Sequence, residues 1–314
     1  MMAADKQNRY LIERLPRVKG RLEANVQLAR FTWFKVGGPA EVLFRPEDAN
    51  DLALLLAATP SDIPITFFGN ASNILFRDGG VPGVVIRLGS NFSTVNVNGD
   101  IVEAGAGAAG LMVARQAQDA GLTGLEFMSG IPGAVGGAVA MNAGAYESEI
   151  SNVFDSAEIT DRAGNRRILG PPDIIFSYRH ASIDPCAIVI SAKFRARPGD
   201  AAKISGRMDE IREARETSQP IRTLTGGSTF KNPTGYRAWE LIAGSGCRGL
   251  RRGGAMVSEV HCNFLVNTGE ASAADLEGLG EDVRRRVREH SGVNLEWEIK
   301  RIGFATDLTM WEVP

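Results

Sequence analysis

The segment SGIPGAVGGAVAMNAGAY, Ser129 to Tyr146, limits the fold more than any other stretch. It carries five glycines in 18 residues, with alanines between them. So little side-chain mass cannot make a well-packed amphipathic helix. The run leaves backbone open to close approach. Two readings stand at this point: a flat ring ligand lying against the chain, or close packing of backbone between two sheets.

Around this run the pattern changes between strand and helix. STVNVNGDIVEAGAG alternates about Asn98-Gly99, a hairpin pattern. LMVARQAQDAG predicts a helix stopped at Gly121. SAEITDRAGNRRIL predicts a second hairpin turning at Ala163-Gly164-Asn165. Upstream, EVLF is a short strand, and Pro46 is expected to open a helix, where its missing N–H does no harm. ITFFGNASNILF reads as two apolar runs about a small-residue turn. Downstream, a charged helix is expected from about Asp200 to Ser218, a short one at RAWELIAGSG, a strand at HCNFLVNTG and a final strand at LEWEIKRIGF. Leu276, Leu279, Val283 and Val287 recur at helical spacing. Hairpins mixed with helices predict an α+β fold. A length of 314 residues suits two or three domains, with one boundary near Pro198-Gly199-Asp200.

Charge and cysteine usage exclude several classes. A formal net charge of −2 supplies no field for nucleic acid or an anionic membrane. The opening MMAADKQNRYLIERLP lacks the apolar core of a signal peptide, and no apolar run approaches the ~20 residues of a membrane span. Three scattered cysteines, Cys186, Cys247 and Cys262, suit a reducing compartment. None of His180, His261 and His290 has a partner at metal-ligand spacing, so no metal is expected.

Three glycine-rich loops invite a chemical reading. GAGAAG, Gly105 to Gly110, matches the dinucleotide fingerprint, with Glu126 about 20 residues on. Its preceding strand, however, reads as the second arm of a hairpin, and LTGL before Glu126 is a poor second strand. A strand-to-helix turn is the better reading. GNASN, Gly69 to Asn73, could turn successive N–H groups toward a pyrophosphate, or be a plain tight turn. GGSTFKNP, Gly226 to Pro233, holds Ser228 outside any G-x-S-x-G elbow, since the second glycine is missing. Taken alone, that serine reads best as a loop residue making a turn bond.

FTWFKVGGPA, GNASN, GLEFMSGIPGAVGGAVAMNAGAY, SYRH, GGSTFKNP and LEWEIKRIG occur in one order over roughly residues 20 to 305. Together they strongly resemble the UDP-N-acetylenolpyruvoylglucosamine reductase (MurB) family. The resemblance implies a two-lobed FAD-binding fold of the vanillyl-alcohol-oxidase (PCMH) type, residues 1–88 and 89–200, followed by a smaller α+β substrate-binding domain, residues 201–314. It implies a cytoplasmic flavoenzyme of peptidoglycan precursor synthesis. NADPH would reduce FAD, and reduced FAD would convert the enolpyruvyl ether of UDP-N-acetylglucosamine to UDP-N-acetylmuramate. A monomer is expected.

By matching motifs, Gly69, Asn70, Ala71, Ser72 and Asn73 would line FAD with Gly130, Ile131, Pro132, Gly133, Gly136 and Gly137. Arg179, Ser228 and Glu298 would be catalytic, and Tyr178, Arg222, Lys231, Asn232 and His261 would meet substrate. The chemistry fits those types. Charge developing beside a carboxylate needs a fixed fork such as Arg179. Glu298 would serve as a neutral donor if burial raised its pKa, and Glu296 is expected on its strand face. Ser228 would give a proton to carbon, helped by positive charge for which Lys231 is a candidate. One departure stands out: no tyrosine lies between Tyr178 and Tyr236, so the chain resembles the class lacking a tyrosine-bearing substrate loop.

Overall fold

The computed structural model describes residues 11–305. The chain forms two compact units from interleaved segments. Of the described residues, the first comprises 11–24, Val42–Asn70 and Gly83–Ala214; the second comprises Asn25–Glu41, Ala71–Pro82 and 215–305.

The first unit contains a five-stranded sheet and most residues of a four-stranded sheet. The four-stranded sheet has the order Arg21–Gln27, Pro39–Arg45, Val81–Arg87, Ile65–Phe68. Its last pair, Val81–Arg87 with Ile65–Phe68, is parallel. The helix Ala49–Ala58 begins three residues after Pro46, because Asp48 caps it by accepting the Asp51 N–H at 2.8 Å. In the five-stranded sheet, Arg166–Leu169, Phe154–Thr160, Ile188–Arg195, Ile101–Gly105 and Val95–Asn98 follow one another antiparallel. Both expected hairpins are present. The first closes on Gly99–Asp100, one residue later than the sequence suggested, since Asn98 faces Ile101. Asp161 organises the second by accepting the N–H groups of Ala163 and Asn165, each at 2.9 Å. Both sheets contribute to one continuous core, from Leu11 and Phe44 to Ile159 and Phe194.

The second unit has its own core. Leu224–Ser228, Phe264–Asn267, Ala255–Val257 and Arg251–Arg252 form a sheet in that order. The long helix Ala273–Ser291 buries the expected stripe of Leu276, Leu279, Val283 and Val287. A Ser272/Asp275 capping box starts it, and Gly292 at φ +73° stops it. Asp78 reinforces the start, its two carboxylate oxygens accepting the N–H groups of Ala273 and Ala274 at 2.9 and 2.8 Å.

ITFFGNASNILF gives its two strands about the small-residue turn, and each pairs elsewhere: Ile65–Phe68 with Val81–Arg87, and Ile74–Phe76 parallel with Lys300–Ile302. One expectation is corrected. The final strand is shorter than LEWEIKRIGF. Regular pairing covers Lys300–Ile302, preceded by a single bridge between Trp297 and Phe230. Among the described residues no helix is long and apolar enough to cross a membrane, and no group of three metal-ligating side chains gathers.

Candidate active site

In the first unit the small-residue run is the centre of the arrangement. At one end it meets GNASN: a Cβ on Gly69 would lie 3.1 Å from Ala134 Cβ. The chain then turns through Gly133, at φ +116°, into the short helix Val135–Ala140. Gly136 packs on Ala106, where an added Cβ would come within 2.9 Å of that methyl. Gly137 is exposed, and a Cβ there would meet no atom within 4 Å. Gly130 is buried beneath the Tyr146 ring and Ile211, so its small size answers to packing. Ile131 and Pro132 are half-buried between these glycines.

At its other end the run reaches Arg179. The buried Asn142 donates from Nδ2 to the Ser177 carbonyl at 3.1 Å and accepts the Ser151 N–H at 2.9 Å. It thereby ties the run to a two-residue turn, Tyr178-Arg179, between Phe176–Ser177 and His180–Ala181. Arg179 takes φ +55°, a region costly for a side-chain-bearing residue. Its guanidinium lies 5.0 Å over the Tyr178 ring. Tyr146 and Glu147, at φ +54° and +67°, close another two-residue turn in a geometry usually taken by Asn-Gly. Uncommon backbone therefore gathers along this run, as it does at functional sites.

GAGAAG is absorbed by packing. The N–H of Ala106 donates to the Ile190 carbonyl at 2.7 Å and that of Gly107 to the Phe92 carbonyl at 2.8 Å. The carbonyls of Ala106 and Ala108 accept the Gly136 and Val135 N–H groups, both at 2.9 Å. Glu126 is held by the Thr123 hydroxyl and the Gly124 N–H, at 2.6 and 2.7 Å. The amides from Gly105 to Ala108 are thus bonded within the fold, those of Gly105 and Ala108 to the Thr94 and Gly105 carbonyls.

In the second unit, Ser228 owes its position to the two glycines before it. Thr225 faces Val266 and Ser228 faces Phe264, so three residues advance against two, and the strand bulges at Gly226-Gly227. Gly227 takes φ +78°. A Cβ on Gly226 would overlap the Phe34 ring. Beyond the bulge, the Thr229 carbonyl accepts the Glu298 N–H at 2.8 Å. Ser228 and the half-buried Glu298 thus lie on neighbouring segments. The Asn73 side chain donates to the Glu298 carbonyl at 3.0 Å, and the Asn73 carbonyl accepts the Lys300 N–H at 3.1 Å.

The softer positions divide. Lys231 is held by Glu296, Nζ to Oε1 2.6 Å. Asn232 accepts the Ala238 N–H at 2.9 Å, at the start of the helix Ala238–Gly244. Arg222 is exposed in the turn before Leu224–Ser228. His261 sits in a turn, not in a strand. Its Nδ1 accepts the Asn263 N–H at 3.2 Å, and its ring packs edge-on against Phe264. Burial, with Arg248 nearby, pushes its pKa below the ordinary histidine value. Glu277 accepts Arg77 through both oxygens, at 2.7 and 2.8 Å, and also Arg301. The Arg77 hydrogen bond holds the Glu277 carboxyl below the usual carboxylate range. Arg301 in turn covers the Trp297 ring at 4.5 Å, and Trp297 Nε1 donates to Glu281 at 2.8 Å. This network fixes the residue between Glu296 and Glu298.

Comparison with known proteins covers both units. Residues 40–170 match an FAD binding domain, and residues 219–302 match the UDP-N-acetylenolpyruvoylglucosamine reductase C-terminal domain. UDP-N-acetylenolpyruvoylglucosamine reductase of Parvibaculum lavamentivorans is 56% identical over 96% of this chain and 97% of its own. That of Paramagnetospirillum magneticum is 57% identical over 93% and 95%. The crystal structure of UDP-N-acetylenolpyruvylglucosamine reductase (MurB) from Thermus caldophilus superposes with a TM-score of 0.79 at 37% identity, covering 90% of this chain and 100% of that one.

Proposed function

The chain belongs to the UDP-N-acetylenolpyruvoylglucosamine reductase family, and from that premise we propose that it reduces UDP-N-acetylglucosamine enolpyruvate to UDP-N-acetylmuramate with NADPH as donor. Residues 1–88 and 89–200 hold FAD in this reading, and 201–314 take the sugar nucleotide. The reading extends to a cytoplasmic monomer that uses neither nucleic acid nor membrane.

The observation that carries it is the meeting of two small-residue loops at Gly69 and Ala134, with Gly137 open beside them. That surface fits a flat ring and a pyrophosphate, since small residues let backbone come close to both. FAD held there would supply a hydride to the vinyl group of the substrate. The chain's own residues do the rest. Arg179 receives the substrate carboxylate as a fork and stabilises charge that develops next to it. Glu298 holds a proton for the same charge, on a backbone fixed by Asn73 and Thr229. Ser228 delivers the final proton to carbon. Lys231, paired with Glu296 here, assists only if substrate draws it away.

The test is an absorption spectrum of the purified protein without oxygen. A flavin spectrum that bleaches with NADPH and returns with the enolpyruvyl substrate is expected. A protein that stays colourless after reconstitution with FAD would overturn the reading.

A further inference from the structure

Just past Ser228 the chain is held on one side by one residue, Asn263, through its backbone and its side chain. Regular pairing with Phe264–Asn267 ends at Ser228, which faces Phe264. Past that point Asn263 takes over. Its backbone carbonyl accepts the Thr229 N–H at 2.8 Å. Its Oδ1 accepts the Phe230 N–H at 3.0 Å, and its Nδ2 donates to the Phe230 carbonyl at 2.8 Å. The amide thus stands in for the peptide group of a missing neighbour strand. Asn263 is 4% exposed, so no water replaces it without opening the core. Its own turn is braced: the Ser258 hydroxyl accepts the N–H groups of Val260 and His261, and His261 Nδ1 accepts the Asn263 N–H.

The other side of the strand is held by the Glu298 segment. The Thr229 carbonyl accepts the Glu298 N–H, and the Lys231 N–H donates to the Glu296 carbonyl, both at 2.8 Å. Upstream, the Gly226-Gly227 bulge interrupts the ladder between Thr225 and Ser228, and pairing resumes for the single residue Ser228 opposite Phe264. The bulge sets Ser228 from before, and the next two residues set it from behind; of these Thr229 bonds the Asn263 backbone and Phe230 bonds the Asn263 side chain.

We infer that Asn263 is a positioning residue for proton delivery by Ser228, setting the serine against the reacting carbon by clamping Phe230. The inference rests on the serine assignment under the proposed function. It predicts a loss confined to the second half of the reaction, because Asn263 lies in the unit that carries Ser228, whereas Gly69 and the small-residue run lie in the other.

The experiment compares Asn263→Ala, Ser228→Ala and the double variant as FAD-loaded enzymes, following each half-reaction by stopped-flow absorbance without oxygen. Asn263→Ala should leave bleaching by NADPH unchanged and slow flavin reoxidation by the enolpyruvyl substrate on the order of 10²-fold, the penalty of a small misplacement. In the Ser228→Ala background it should add almost nothing, because both act through one step. Amide exchange at Phe230 in the cofactor-free protein should speed up. Asn263→Asp keeps the acceptor for the Phe230 N–H and loses the donor; it should recover part of the rate, and it carries the cycle if the alanine variant does not fold. Equal loss in both halves, or a full further loss in the double variant, overturns the role of Asn263. Normal reoxidation by Ser228→Ala overturns the serine assignment itself.

Discussion

Arg179 pairs an unfavourable φ of +55° with a guanidinium over Tyr178, so its backbone and its proposed chemistry pull in opposite directions. Arg179→Gly should raise stability by about 1 kcal/mol, the cost of the left-handed region for a non-glycine residue, while abolishing turnover. Arg179→Lys keeps the strain and the charge but loses the fork; kcat should fall on the order of 10²-fold. Thermal melts and steady-state rates check both, and an active Arg179→Gly enzyme removes this residue from the mechanism. His261 gives a pH prediction. Burial lowers its folded pKa beneath the unfolded value near ~6.5. The unfolded chain then binds more protons in that window, so the contribution is complete above the unfolded pKa and lost as pH falls through the folded one. Melting temperature should therefore drop on acidification below about pH 6.5, and His261→Asn should flatten that part of the curve. An unchanged slope would show that the imidazole does not carry it.

The bulged strand Leu224–Ser228 shows how an element can serve one residue. The sequence GGS looks like a failed nucleophile elbow, yet its glycines are not interchangeable. Gly226 clears the Phe34 ring, and Gly227 takes φ +78°. Gly227→Ala should destabilise by about 1–2 kcal/mol from the left-handed penalty alone. It should also slow flavin reoxidation, and the bleaching step should stay intact. A variant that melts earlier but reoxidises at the normal rate would show that the bulge serves only the fold. The helix Ala273–Ser291 works at longer range. Through Glu277, Arg301 and Glu281 it grips Trp297, the neighbour of Glu298.

At the scale of the whole molecule, the small-residue run serves two ends, meeting Gly69 at one and holding the Arg179 turn through Asn142 at the other. Gly137 separates packing from cofactor use. Among the described residues no atom lies within 4 Å of where its Cβ would go, and leucine is a far better helix former. Gly137→Leu should therefore stabilise the cofactor-free protein by roughly 0.5–1 kcal/mol and weaken FAD retention. A stabilised variant that keeps its flavin would move the ring elsewhere. Local signals made much of this legible in sequence. Hairpin alternation, the stripe on Ala273–Ser291, the stop at Gly121 and the ordered motifs that mark the family each depend on neighbours a few residues apart. The rest depended on partners far along the chain. That GAGAAG bonds its amides to Phe92 and Ile190, that Asn73 bonds the Glu298 carbonyl 225 residues away, and that Asn263 replaces a strand are all matters of backbone pairing. Sequence determined which elements form and which family's chemistry to expect, because propensity, capping and motif order act locally or are written directly. Tertiary structure alone decided which acceptor each backbone donor meets, because any exposed carbonyl can accept it until the fold brings one within reach.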